Sequence, residues 1–383
     1  MASANTDGSA CLVTECVMTE FHTVQYQDIS DDLWEQWENC CKSWQAYPFQ
    51  APAWARACAE NLSADAKKYL FFARDADKYL GFLPYRTEKV VTGRMLPIMQ
   101  CKPWARFGGA IASQNEDEEF YKQFIDQFHA QIPKWHNLES GLLQDGDRIL
   151  EAQDQFYAER GLKLRRKEIG MSEIMSESGF EGFLSSLSPK WRYSYRKAVR
   201  DHFETGKTSI DHYETFSEDD LRSLKKRVMG IYKESWKTAS TDTENNLLLP
   251  RIYNRFSDLM DFSARSGGLH VVIATIDGDD AAFSVGLHQN KLYCSYQTAY
   301  KEKYKKLGIG RLLHMESFRF VMENGFSTNN LLSDQGFKSH YTNRVARFSY
   351  MNVFNNNLPA RLAESLAYAK RYLPGAKKPV KGS

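Results

Sequence analysis

No apolar run in the 383-residue chain approaches the ~18 residues that a membrane-spanning helix needs. Nor is there any CxxC pairing among the seven cysteines, Cys11, Cys16, Cys40, Cys41, Cys58, Cys101 and Cys294. An odd count with two adjacent members fits neither a disulfide framework nor a zinc site, and predicts free thiols in a reducing, cytoplasmic setting. The opening stretch, MASANTDGSACLVTECVMTEF, has neither the basic nor the apolar region of a secretory signal, so residues 1–20 are expected to be a flexible lead. Charge of one sign is also scarce: 50 Lys and Arg against 48 Asp and Glu leave +2, which gives no general case for nucleic acid. Without a Gly-x-Ser-x-Gly elbow or a paired-carboxylate motif, hydrolase chemistry is a poor fit.

Hydrophobic residues, at 42%, suffice for sizeable cores, and the length suits two domains of roughly 150–200 residues. Ser30 followed by an acidic turn predicts a helix start, and Pro48 and Pro52 separate it from a second helix over 54–62. Strands are expected over 69–74, 79–86 and 94–101, then a helix over 120–132 closed by Pro133. A second unit begins near Phe180. Ser188-Pro189 opens a helix to Phe203, and apolar spacing predicts helices over 221–236 and 250–265. Strands over 269–276, 281–288 and 292–298 follow, joined by Asp277-Gly278-Asp279 and Gln289-Asn290-Lys291 turns. Further strands are expected at 331–332 and 345–354, with a last helix over 358–372 and a disordered basic tail over 376–383. The expected organisation is thus α/β (α+β): an N-terminal domain over 21–170 and a C-terminal domain over 171–375.

The segment LYCSYQTAYKEKYKKLGIGRLLHMESFRFVMENGF, residues 292–326, reads as a strand, a basic loop and an amphipathic helix with Gly325 at its end. A strand that passes to a helix through Gly308-Ile309-Gly310 presents free backbone amides, a nest for phosphate. Lys303, Lys305, Lys306 and Arg311 add positive charge, and residues Lys305 to Gly310, with Leu307 among them, supply the amides. Arg192, Arg196 and Arg200 recur every four residues on the helix from Pro189 and share a face, either solvated or anion-binding. His288 and Cys294 fall inside expected strands and read as packing residues. No His/Cys cluster has zinc spacing, so no metal is expected.

Strand, basic loop, Gly-x-Gly, long helix and strand together resemble the GNAT N-acyltransferase superfamily, and the loop Lys305-Lys306-Leu307-Gly308-Ile309-Gly310 fills its Arg/Gln-x-x-Gly-x-Gly/Ala pattern with lysine first. More particularly, the chain is similar to the CelD-like, cellulose-biosynthesis-associated tandem acetyltransferases. FQAPAWARACAENL resembles their N-terminal Phe-x-x-x-x-Trp helix, YLGFLPYRTEKVVTGRMLPIM their first-domain strands, and SPKWRYSYRKAVRDHFETG their basic linker helix. That family carries an Asp-Phe strand followed by Tyr-Lys; here NNLLSDQGFKSHYTNR has no intact Tyr-Lys.

The resemblance implies two tandem GNAT-like domains, each a mostly antiparallel mixed sheet flanked by helices. The first is degenerate: PWARFGGA has Gly108-Gly109 but no amphipathic helix after it. It implies direct attack of an amine, from a small molecule or a peptide, on an acyl-CoA thioester (acetyl or longer). Amides near Gln297 and Thr298 would polarise the carbonyl, Asp334 or His340 would take the amine proton, and Tyr296 or Tyr300 would protonate the leaving thiolate. Lys338 and Tyr341, with Trp104 and Arg106 of the first domain, are the expected acceptor-lining residues. Two other readings remain open: a Fem-type aminoacyltransferase, whose partner would be aminoacyl-tRNA, and a non-catalytic GNAT-like binding module. Acceptor, acyl length and oligomeric state are not legible.

Overall fold

Ser30 begins the first helix as its spacing predicts, its hydroxyl accepting from the Leu33 amide at 3.1 Å. The computed structural model describes residues 19–92, 96–175, 177–203, 206–239, 246–333 and 336–369. The expected flexible start to residue 18, Cys11, Cys16, Asp334 and the tail all lie outside these.

The first half runs β1 (Glu20–Gln25), α1 (Asp31–Ser43), α2 (Pro52–Glu60), β2 (Lys67–Asp75), β3 (Lys78–Thr92), β4 (Leu96–Pro103) and β5 (Ile111–Ala112). It continues through α3 (Glu118–Gln131), β6 (Asn137–Glu139), β7 (Leu143–Gln144), α4 (Arg148–Glu159) and β8 (Lys163–Met175). The second half contains α5 (Gly179–Ser186), α6 (Pro189–Phe203), β9 (Thr208–Tyr213), α7 (Glu218–Lys233), α8 (Pro250–Arg265), β10 (Leu269–Ile276), β11 (Asp279–Gln289) and β12 (Leu292–Tyr300). It ends with α9 (Ile309–Glu323), β13 (Thr328–Asn330), β14 (Arg344–Phe354) and α10 (Leu358–Ala369).

Among the described residues the strands form one mixed sheet in the order β1-β2-β3-β4-β6-β14-β8-β13-β12-β11-β10-β9. Two short strands lie off this path, β5 on β3 and β7 on β14. The last strand, β14, therefore lies between β6 and β8, and α10 packs on β3, β4 and β14. The expected boundary at 170/171 falls inside β8, whose partners come from the far end of the chain.

The largely apolar run Leu269–Ile276 (LHVVIATI) fits a strand covered on both faces. Val271 and Ile273 pack with Val228, Ile231 and Phe256 of α7 and α8. Val272 and Ala274 pack with Ile309, Leu312 and Leu313 of α9. In the first half, Phe71, Phe124 and Phe128 anchor a core under α3 and α4, while Trp34, Trp37, Phe82 and Trp104 form another beneath α1.

Three expectations are corrected. The strand expected at 331–332 is Thr328–Asn330, buried and wholly polar, so no apolar pattern announces it. The strand expected at 94–101 runs Leu96–Pro103, with 94–95 outside the described residues. Gly108-Gly109 serves packing: a Cβ on Gly141 would lie 2.2 Å from the Gly109 Cα, so two backbones touch where no side chain fits. Among the described residues no helix is long and apolar enough to cross a membrane.

Candidate functional site

The loop that follows β12 is a tight 3₁₀ turn over Glu302–Leu307, and Gly308 then adopts φ 73° to start α9. The two glycines are needed for different reasons. Gly308 supplies the left-handed conformation, with nothing within 4 Å of where a Cβ would stand, whereas a Cβ on Gly310 would lie 2.6 Å from the Tyr300 ring. Among the described residues no side chain caps the start of α9, the helix end where the dipole favours an anion. There a cavity of about 590 Å³ is lined by Lys197, Lys207, Lys305, Lys306, Gly308 and Arg311, with Asp201 and Asp277 as its acids.

The expected cations divide. Lys305 pairs with Glu302 at 2.8 Å yet still lines the cavity. Lys303 is drawn off by Asp279 at 2.8 Å and is not among the cavity residues. Lys301, buried beside the same carboxyl, and Lys303 together hold Asp279 well below the usual carboxylate range. Arg311 lies over the Trp191 ring at 4.4 Å and donates to the Ser194 hydroxyl. His202, not anticipated, ties the loop down: its Nε2 meets the Leu307 carbonyl at 2.8 Å and its Nδ1 meets Thr208 at 3.1 Å.

Beyond the loop the sheet opens. β12 pairs with β11 as far as Tyr300 but with β13 only from Leu292 to Cys294. A bulge opposite Val285/Gly286 makes Tyr296 the extra residue, bending the strand as bulges do. At the opening, Lys237 Nζ donates to the buried Gln297 Oε1 at 2.7 Å. Thr298 meets Ser284 at 3.1 Å. Lys338 donates to the Leu331 carbonyl and to Ser333 Oγ. On α9, His314 is pushed down to about 4 by burial and then by the charges of Lys338 and Lys237, so its imidazole is neutral at pH 7. The neutral imidazole of His314 thus feels two ammonium groups from other elements, Lys338 and Lys237, of which Lys237 is bonded to Gln297. Sequence reading missed Lys237 and His314; the i, i+3 step from Arg311 to His314 along the loop helix was the available signal.

Across β13 lies Glu173 of β8, 0% exposed. Its Oε1 accepts from Tyr47 Oη at 2.9 Å and Asn330 Nδ2 at 3.0 Å. Arg344 Nε lies 3.5 Å from Oε2, which has no hydrogen-bond partner among the described residues. Glu173, Asn330 and Cys294 are register partners across three strands, so they share a face of the sheet.

Other expected site residues lie elsewhere. Trp104 is 2% exposed, inside the tryptophan core, its indole donating to the Tyr85 carbonyl; it lines no cleft. Tyr341 is buried between Trp191 and Phe318, because Arg311 and the aromatic rings enclose it. His340 is exposed and lies against Trp191 at 5.1 Å. Tyr296 packs on Trp54 and Phe256, its phenol pushed up to about 12 by burial. Arg106 lies over Tyr350 in a separate groove. Arg192 leaves the arginine stripe to cap carbonyls of Ser185 and Leu187. Among the described residues no group of three His, Cys, Asp or Glu side chains is placed to hold a metal.

Residues 189–339 match the family model described as an acetyltransferase (GNAT) domain. No curated protein matches the sequence. The structure is similar to the crystal structure of FemX, with a TM-score of 0.58 at 10% identity over 82% of this chain and 95% of that one. It is also similar to the C-terminal domain of a putative lysylphosphatidylglycerol synthetase from Agrobacterium fabrum, at 0.52 and 12% identity over 91% and 98% of the two chains. L-PGS from Bacillus licheniformis follows at 0.50 and 15% identity over 88% and 94%. At such identities the likeness is one of fold alone: a mixed sheet flanked by helices. The CelD-like subgroup itself is not among these matches.

Proposed function

We propose that the chain is an N-acyltransferase that moves an acyl group from an acyl-CoA thioester to an amine. One observation carries this reading: β12, after it leaves β13 at Cys294, runs directly into the basic loop that starts α9 and lines the cavity. Donor phosphates would sit on Lys305, Lys306, Arg311 and the amides around Gly308. The thioester would lie along Gln297 and Thr298, whose strand edge has parted from its neighbour.

The amine nitrogen attacks the carbonyl carbon, the C–N bond forms, the C–S bond breaks, and the thiolate leaves. Lys237 and Lys338 stabilise the negative charge that passes through oxygen to sulfur. The amine proton goes to the neutral imidazole of His314. A donor anion beside it raises its affinity for that proton, toward the range where a general base works best. This assigns to His314 the part expected of His340, which is exposed against Trp191; Asp334 remains the carboxylate candidate nearby in sequence. The acceptor amine approaches from the Glu173 face.

A second reading, an aminoacyl group delivered from aminoacyl-tRNA, is favoured by the breadth of the overlap with FemX, 82% of this chain. Titration of the full chain with acetyl-CoA, a longer acyl-CoA and aminoacyl-tRNA separates the two. Saturable acyl-CoA binding that is lost in Lys306→Glu supports the first. Stabilisation by aminoacyl-tRNA alone supports the second, and no response to any donor leaves the binding-module reading.

A further inference from the structure

A concave surface larger than the donor cavity lies away from the donor loop. In the first half, residues of β3, β4, β6, β14 and β8, with Ala363 of α10, line a groove of about 1180 Å³. Six cations line it, Arg86, Lys102 and Arg106 on one bank and Arg165, Arg166 and Lys167 on the other, against one lining carboxylate, Glu139. Four of the six have acidic partners just outside the lining: Glu88 beside Arg86 and Lys102, Glu364 beside Arg165, and Asp145 and Asp154 beside Arg166.

The cations are held in position rather than left to wave in solvent. Arg86 donates to the carbonyls of Pro103 and Trp104 at 3.3 and 3.1 Å. Glu364 of α10 holds Arg165 from outside the lining at 3.2 Å. Arg106 and Lys167 both lie over the ring of Tyr350, at 5.4 and 5.8 Å, so two like charges share one aromatic platform. Between the banks, Gln100, Asn137 and Asn352 form a hydrogen-bonded floor, with contacts of 3.1 Å from Gln100 to Asn137 and from Asn137 to Asn352. Packing like charges around one ring costs free energy that an anion between them would recover. Arg side chains presented in fixed orientations suit the two oxygens of a carboxylate or phosphate.

We propose that this groove is a binding site for a ligand bearing at least two carboxylate or phosphate groups. The site is distinct from the donor cavity. Resting on the acyl-transfer reading, the ligand is the acceptor: β14 runs six residues from Tyr350 to Arg344 beside Glu173, about 20 Å at 3.3 Å per residue. An elongated anionic amine can therefore reach from the groove to the Glu173 face, from which the acceptor approaches.

The test is calorimetric titration of the full chain with inorganic tripolyphosphate and, separately, with citrate, in the absence of any donor. Lys167→Glu and Arg106→Ala, checked for native circular dichroism, are each expected to weaken binding by about tenfold or more, and Lys306→Glu to leave it within about twofold. Loss with tripolyphosphate alone identifies a phosphate ligand, and loss with citrate alone a carboxylate one. The proposal fails if neither anion binds, if both groove variants bind as wild type does, or if only Lys306→Glu reduces binding. Acetyl-CoA titration of the same proteins reads the donor site separately, so failure of the groove and failure of the acyl-transfer reading are distinguishable.

Discussion

Tyr47 and Glu173 stand 126 positions apart in sequence, yet the phenol of one donates to the carboxylate of the other across 2.9 Å. Tyr47 precedes α2 in the first half, Glu173 lies on β8, and Asn330 completes the group from the second half. Removing the phenol leaves a buried carboxylate with one fewer donor, and hydrogen bonds to charged groups contribute about 1.5–3 kcal/mol. Because Asn330 still donates, Tyr47→Phe is expected to lose about 1–2 kcal/mol, read as a lower urea midpoint with an unchanged slope. A midpoint equal to wild type would mean that this bond does not help hold the segment before α2 to β8.

Two lysines three residues apart give a sharper test of the donor loop. Lys306 lines the basic cavity and Lys303 is held by Asp279 outside it. Lys306→Glu should weaken acetyl-CoA binding by about tenfold or more, the equivalent of about 1.4 kcal/mol, with the difference shrinking at high salt. Lys303→Ala should change binding by less than about twofold. Equal losses from the two substitutions would remove the cavity as the phosphate site and point to general surface charge instead.

This division of the lysines marks where the sequence stops being legible. Apolar periodicity and the glycine pair revealed β10, β11, β12, the basic loop and α9 because each has a local signature. Thr328–Asn330 has none, as three buried polar residues owe their place to pairing with β8 and β12. The return of β14 to the first half depends on contacts far apart in sequence, and no local propensity encodes it. In the site, the donor loop was readable because its chemistry is contiguous. Lys237 approaches His314, and Glu173 meets Tyr47 and Asn330, only through the fold, so each looks like an ordinary residue in its own segment. Trp104 misled because aromatic residues line clefts and fill cores alike.

Acid should unfold the protein in a predictable window. His270 is fully buried, bonded to His212 at 3.1 Å and to the Tyr293 hydroxyl at 2.8 Å, and burial pushes it down to about 2. Unfolded, it takes a proton near pH 6.5; folded, it does not. The unfolded state therefore binds more protons below pH 6.5, and stability falls as pH drops through that value toward 2. Between pH 6.5 and 5 this one group accounts for up to about 2 kcal/mol. Urea midpoints at pH 7 and pH 5 should show the loss, and His270→Gln should reduce its pH dependence. A slope that His270→Gln leaves untouched would assign acid sensitivity to other groups.

The two glycines of the donor loop should fail in different ways when given a side chain. At Gly308 a methyl group meets nothing within 4 Å, but φ is 73°, so Gly308→Ala incurs only the left-handed penalty, about 1–2 kcal/mol. The loop keeps its path, and acetyl-CoA affinity should change little. At Gly310 the methyl would lie 2.6 Å from the Tyr300 ring, which packs where β12 meets α9. Relief requires the ring to swing or the helix start to lift, and either movement shifts the amides that face the donor. Gly310→Ala should therefore cost donor affinity out of proportion to stability, by about tenfold or more, and Tyr300→Ala in the same chain should restore part of it by making room. Equal affinity losses for the two glycine variants, or no rescue by Tyr300→Ala, would show that close approach of helix and strand does not set the geometry of the phosphate nest.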